Sequence, residues 1–217
     1  MKIPCPALPP FARDDREAVR VAFQGAPVME MGQSWRESLE VGFSPARVRV
    51  GWREDRLMVF AELTDVELVT QATENNQRLW KLGDVFEIFL RDSSGERYLE
   101  FHIAPNGRRL QLVFSDRATL GQLAANGMVI EDLMVAEPMF EFSHWVDGDL
   151  WSICAEVPNS AFLQPGTTLA GRTWLASFSR YDYRAPGTEP VISSTSPHTV
   201  ASFHRQQEWA ELVFVGA

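Results

Sequence analysis

Cysteine is scarce in this chain, and its two copies remove most of what cysteine does from consideration. Cys5 and Cys154 lie far apart, and neither stands in a Cys-x-x-Cys pair or at the Cys/His spacing that zinc requires, so ligation of a metal by cysteine is not expected. Cys154 falls in the strand-like run 151–157, where a lone cysteine serves as a small buried hydrophobe. A disulfide to Cys5 requires the amino-terminal segment to pack nearby. Long apolar runs are missing too. Residues 1–10 carry four prolines and one lysine without a continuous apolar stretch, which is neither a secretory signal nor a membrane span. The expectation for the chain as written is a cytoplasmic location and no membrane partner.

Catalytic signatures are absent as well: there is no His-Glu-x-x-His, Gly-x-Ser-x-Gly, P-loop, Gly-x-Gly-x-x-Gly before a helix, or EF-hand loop. A glycosidase needs two carboxyls converging on one bond, and nothing selects a distant pair such as Glu87 with Glu156. The expectation is a binding domain, not an enzyme. Positive charge is in deficit. A net charge of -9 repels polyanions, and the best basic run, Arg47, Arg49, Arg53 and Arg56, alternates with Val48, Val50 and Trp52 as the solvated face of a strand does. No nucleic-acid partner is expected.

What the chain does have is enough apolar material, 45% of 217 residues, to bury a core without metals or disulfides. Residues 1–12 read as a proline-rich extension with Pro4, Pro6, Pro9 and Pro10, followed by one domain over 13–217. Period-two alternation marks 47–52, 56–63, 85–90, 98–103, 110–114, 151–157, 173–180 and 209–215 as strands. Turn residues separate them at Glu54-Asp55, Ser93-Ser94-Gly95, Pro105-Asn106-Gly107 and Asp147-Gly148-Asp149. Residues 66–79 suit a helix or a structured loop, and 158–163 a single helical turn. The stretch 182–200, with Pro186, Gly187, Pro190, Pro197 and a serine cluster, reads as a long loop of the kind that shapes a binding site. Many short strands with few helices exclude βαβ architecture and predict an all-β fold, an antiparallel β-sandwich of jelly-roll or immunoglobulin-like type with short helical turns.

Strand periodicity also sorts the polar residues. Asp84 and Glu87 point to opposite faces, and Glu87 shares its face with Val85 and Phe89. Glu100 and His102 lie with Tyr98, opposite Leu99, Phe101 and Ile103. If Arg109 and Gln111 face the same way across the 105–108 turn, one sheet face presents acid, imidazole, guanidinium and amide together; the alternative is a set of cross-strand ion pairs on a solvated face. Trp80 precedes its strand, which favours a loop. Trp35, Trp52, Trp145, Trp151 and Trp174 lie mostly in or beside strand-like runs, where aromatic burial is the default. His204 reads as a satisfied loop histidine, and no metal site is assigned.

The segment Trp80-Lys81-Leu82-Gly83-Asp84-Val85-Phe86-Glu87-Ile88-Phe89-Leu90 resembles the signature of the family 9 carbohydrate-binding modules, and the following run, 98–107, is similar to that family's strand ending in Pro-Asn-Gly. Residues 151–158, 177–180, 203–205 and 209–214 continue the resemblance in order, so that it covers most of the chain from about residue 33. The resemblance implies a β-sandwich holding a mono- or oligosaccharide, with Trp80 as the stacking platform and Asp84, Glu87, Glu100, His102, Arg109, Gln111 and Arg180 as polar lining. It also allows structural calcium and points to an extracellular or periplasmic setting, with the domain a monomer or weak oligomer. Where the family carries a second tryptophan in Ser-Trp-Ser-Pro, this chain reads Ser194-Thr195-Ser196-Pro197, leaving Tyr181 or Tyr183 as the substitute face. Two other readings stand beside this one. A haem-binding redox sandwich would take axial ligands from Met58, Met128, Met134 or Met139 with His102, His144 or His204. A protein-interaction module would be a sandwich whose sugar site has been lost.

Overall fold

Alternating apolar side chains form strands wherever periodicity predicts them, and the computed structural model, which describes residues 1–116, 118–125, 127–164 and 166–216, shows how they pair. Twelve strands occur among the described residues: β1 (Lys2–Pro6), β2 (Val28–Glu30), β3 (Ala46–Arg53), β4 (Arg56–Thr64), β5 (Val85–Asp92), β6 (Tyr98–Ile103), β7 (Arg109–Phe114), β8 (Glu141–Asp147), β9 (Leu150–Pro158), β10 (Thr173–Asp182), β11 (Val191–Ser194) and β12 (Ala210–Val215). They make two sheets. Sheet A runs β1-β12-β10-β5-β6-β7, with β11 also paired to β10, and sheet B runs β2-β3-β4-β9-β8. Every pairing is antiparallel except β1 with β12. This is the expected all-β sandwich.

Between the sheets, inward residues from both layers form the main core: Val48, Val50, Leu57, Val59, Trp151, Ile153, Phe86, Ile88, Leu99, Phe101, Trp174 and Phe178 are all buried. The β3–β4 hairpin shows how local chemistry sets register. Arg53 pairs with Arg56, and the two residues between, Glu54 and Asp55, both take positive φ, the geometry that matches a two-residue turn to the twist of its strands. Arg47 and Arg49 project from β3 and converge on Glu62 of β4 at 2.8 and 3.1 Å, so the face that alternation reads as solvated is an ion-paired one on which Glu62 is itself buried. The outer face of sheet B is capped by α1 (Arg16–Ala22), whose Val19 joins Phe23, Met58 and Phe60. Asp15 caps this helix by accepting from the amides of Glu17 and Ala18.

Two expectations need correction. The amino-terminal segment is not an extension outside the domain: β1 is the edge strand of sheet A, paired from Lys2↔Glu211 to Pro6↔Val215. Prolines are tolerated there because an edge strand leaves alternate backbone donors unpaired. The 182–200 stretch is not loop throughout, since β11 pairs with the end of β10 through Asp182↔Val191 and Ser179↔Ser194. Of the two readings for 66–79 the structured loop holds: residues 66–78 form no helix, and one 3₁₀ turn, Leu79–Lys81, follows them.

Candidate functional site

β5 is central in sheet A and covered on both faces. Phe86, Ile88 and Leu90 enter the core between the sheets, while Val85 and Phe89 join a second cluster on the outer side with Leu79, Leu110, Leu112, Phe203 and Trp209. Glu87 lies on that outer side by alternation and is 2% exposed. A carboxylate in such surroundings costs stability unless partners are supplied.

The partners come from the neighbouring strand. Glu87 is paired in register with His102, and Glu100 lies two residues away on the same face. His102 Nδ1 approaches Glu87 Oε1 at 3.0 Å and its Nε2 approaches Glu100 Oε2 at 3.4 Å. His204, on the loop before β12, places Nδ1 3.0 Å from the other Glu100 oxygen. The result is an alternating series, Glu87, His102, Glu100, His204, laid across the sheet.

Electrostatics favour the charged form of each member for which a shift is resolved. Burial acts to lower the His102 pKa, but the Glu87 carboxylate and the bond to Glu100 outweigh it and raise it to about 9. Burial acts to raise the Glu100 pKa, and the two histidines outweigh it and hold it at about 2. His204 is likewise raised, Glu100 overcoming the effect of burial. Both nitrogens of His102 thus face carboxylates, and neither is free for a haem iron.

Over this series lies a cavity of about 260 Å³. Its polar floor is Glu87, Glu100 and His102; its walls are Trp80, Phe89, Tyr181 and Phe203, with Leu112, Ile130, Ile192, Ala201, Ser202 and His204 completing the lining. The Trp80 ring stands 5.6 Å from the His102 ring, and Tyr181 meets Phe203 edge-on at 5.7 Å.

Trp80 is half-buried and sits in the Leu79–Lys81 turn, anchored below by Leu79. The Tyr183 hydroxyl donates to the Trp80 carbonyl at 2.6 Å. Behind the turn, Gly83 adopts φ +141° against Val69 and Thr70, where an added Cβ would stand 2.7 Å from Thr70 Cα and closer still to the Val69 carbonyl; only glycine fits there.

Of the residues that sequence reasoning grouped, Trp80, Glu87, Glu100, His102 and Tyr181 come together around the cavity, whereas Asp84, Arg109, Gln111, Arg180 and Tyr183 do not line it. The reason for Arg109 and Gln111 is register. Ile103 pairs with Arg109 and Phe101 with Gln111, so the face of Glu100 and His102 receives Leu110 and Leu112 instead. Arg109 stacks over Phe140 and Phe142 and donates to the Phe140 carbonyl. Gln111 is buried, donates to the carbonyls of Val135 and Glu137 and accepts from the Met139 amide.

Asp84 is fully buried and accepts from the amides of Val69 and Tyr183. Burial pushes its carboxyl up to about 7 despite those two donors. Arg180 pairs in register with Phe86 and therefore points between the sheets, where it meets Asp65. Thr195, at the position of the family's second tryptophan, accepts from the Phe178 amide and does not reach the cavity. Phe89, Phe203 and His204 were not foreseen as lining. Phe89 shares the face of Glu87, so alternation held the signal for it; the other two arrive on a loop, which periodicity cannot place.

Neither the known family models nor the curated protein sequences match this chain. Solved structures do. A provisionally assigned carbohydrate-binding protein from Bacteroides uniformis superposes with a TM-score of 0.73 at 16% identity over 98% of both chains. A family 9 carbohydrate-binding module from Caldicellulosiruptor kristjanssonii, in complex with cellotriose, matches with a TM-score of 0.66 at 12% identity over 100% of this chain and 95% of its own. The same organism's module in complex with glucose gives a TM-score of 0.65 at 12% identity, over 100% and 97%. At these identities the likeness is one of architecture, and the chain has the fold of the family 9 carbohydrate-binding modules from end to end.

Proposed function

We propose that this domain binds carbohydrate without catalysis, holding one sugar ring at a time in the cavity walled by Trp80 and Tyr181 above Glu87 and Glu100. The observation that carries this reading is the combination of aromatic walls with two fixed carboxylates in one small enclosure. A pyranose has CH faces that pack on an indole or phenol and hydroxyls that need acceptors and donors. Glu87 spends part of its accepting capacity on His102, and Glu100 one oxygen each on His102 and His204; the remaining lone pairs are left for hydroxyls. The His204 side chain is about half exposed, at 46%, and keeps its Nε2 as a donor. A volume of about 260 Å³ lies just below the roughly 300–1,000 Å³ of ordinary ligand pockets, which suits a single ring.

The complexes of similar fold with cellotriose and glucose make neutral glucosides the first ligands to try. Titration of glucose, cellotriose and a broader panel of mono- and oligosaccharides, followed by heat and by tryptophan fluorescence, is expected to show saturable binding. Trp80→Ala is expected to weaken it by at least about tenfold, because lost stacking adds to lost apolar burial. Silence across the panel, or equal binding by the variant, overturns the reading.

A further inference from the structure

The resemblance to family 9 modules allows structural calcium, and three buried aspartates give that idea a definite place. Asp65, Asp84 and Asp182 each offer an oxygen within 4.8 Å of the others, and no other such group of metal-ligating side chains occurs among the described residues. Against two of them, Asp65 and Asp182, however, stands Arg180, whose side chain is 1% exposed.

We propose that the Arg180 guanidinium is the resident cation of this cluster, occupying the oxygens a divalent ion would need, so that the domain requires no calcium there; removing it turns the cluster into a calcium site. Arg180 Nη1 donates to the Thr64 carbonyl and Nη2 to Asp65 Oδ2, both at 2.7 Å, and Nη2 lies 3.4 Å from Asp182 Oδ2. Calcium takes six to eight oxygens at about 2.3–2.6 Å. Few are left to it. Asp84 gives both carboxylate oxygens to backbone amides, and Asp65 Oδ1 accepts from the Glu67 amide. Only the Asp182 carboxylate makes no hydrogen bond, and its Oδ2 already lies between Arg180 at 3.4 Å and Arg184 at 3.8 Å. With the arginine in place, the donor set does not fit the ion.

Two further points support this assignment. A guanidinium is always charged and presents its donors as a rigid fork, which spans a carbonyl and a carboxylate together as a spherical ion does. The cluster also ties β10 to the residues after β4, joining one sheet to the other where they end, the position at which a structural ion is useful. Without the guanidinium, Thr64 O, Asp65 Oδ2 and Asp182 Oδ2 are released together and face one another across its former volume.

The test compares the parent protein with Arg180→Met, a neutral side chain of similar length. The parent, dialysed after exposure to calcium, is expected to retain no stoichiometric metal by elemental analysis and to melt at the same temperature with chelator or calcium. R180M is expected to melt roughly 6–20 °C lower, as for a buried pair that has lost one partner. It should regain part of that loss in about millimolar calcium, the range of weak oxygen cages. Stoichiometric calcium in the parent, a parent melting point lowered by chelator, or a folded R180M indifferent to calcium each overturns the proposal. If R180M does not fold under either condition, the parent decides: indifference supports the proposal and calcium dependence ends it.

Discussion

Tyr183 donates its hydroxyl to the carbonyl of Trp80 at 2.6 Å, while its own amide donates to Asp84. Tyr183 lies outside the cavity, yet it fixes the height of the indole over the floor. Tyr183→Phe keeps the packing and loses one neutral hydrogen bond, worth about 1 kcal/mol. The expected result is a melting point about 2–4 °C lower and sugar affinity reduced by up to about fivefold. Calorimetric titration of the variant checks this, and unchanged affinity would mean that Leu79 alone holds the turn.

The glutamate and histidine series makes stability depend on pH in a direction that can be worked out. His102 is raised from 6.5 to about 9 in the folded protein, so its stabilising effect is complete below about pH 6.5 and is lost as pH rises through 9. Glu100, held at about 2 against an ordinary 4.5, contributes above 4.5 and loses its effect as pH falls toward 2. Asp84, raised from 3.8 to about 7, slopes the same way as His102 but over a lower range. Urea unfolding between pH 6.5 and 9 should therefore show stability falling with pH, as more protons are bound in the folded than in the unfolded state. His102→Gln should be less stable at every pH yet flatter over that window; an unchanged slope would remove His102 as its source.

Much of this architecture was legible in the sequence because β-strand periodicity is local. The eight runs picked out by alternation are all strands, and Val85, Glu87 and Phe89 were placed on one face correctly. What stayed hidden was non-local. β1 is proline-rich and reads as a lead until β12 is seen to pair with it, and β11 is a short strand inside a segment dominated by turn residues. The site was half legible for the same reason. Glu87, Glu100 and His102 follow from one strand's alternation and its neighbour, whereas Arg109 and Gln111 depend on the parity of a turn. Five residues separate Ile103 from Arg109 across that turn, which includes Gly107 at φ +77°, and one residue more or fewer would have brought both polar side chains to the cavity face.

That parity is itself testable through Gln111. Its buried amide donates to Val135 and Glu137 and accepts from Met139; the Val135 carbonyl also accepts from Asn76, so Gln111→Ala leaves the Met139 amide and the Glu137 carbonyl short of a partner. A loss of about 1–3 kcal/mol is expected, with sugar affinity unchanged because the side chain does not reach the cavity. Denaturant unfolding and sugar titration on the same variant separate the two effects. Reduced affinity at preserved stability would restore Gln111 to the binding surface.

The two cysteines report on β1 independently of any ligand. Both are free and buried, Cys5 in the main core and Cys154 beside α1. Burial raises both thiols, Cys154 to about 12 and Cys5 further, so neither supplies thiolate at neutral pH. The folded protein is expected to leave an aromatic disulfide reagent unconsumed, and denaturant should release two equivalents per chain. Exchange of Cys5 requires β1 to peel from β12, because the pairing Cys5↔Phe214 keeps its sulfur inside the sandwich. Comparing Cys154→Ala with Cys5→Ala therefore separates opening of the strand edge from opening under the helix. Rapid labelling of Cys5 alone in the native state would show that β1 detaches readily and that the domain stands without it.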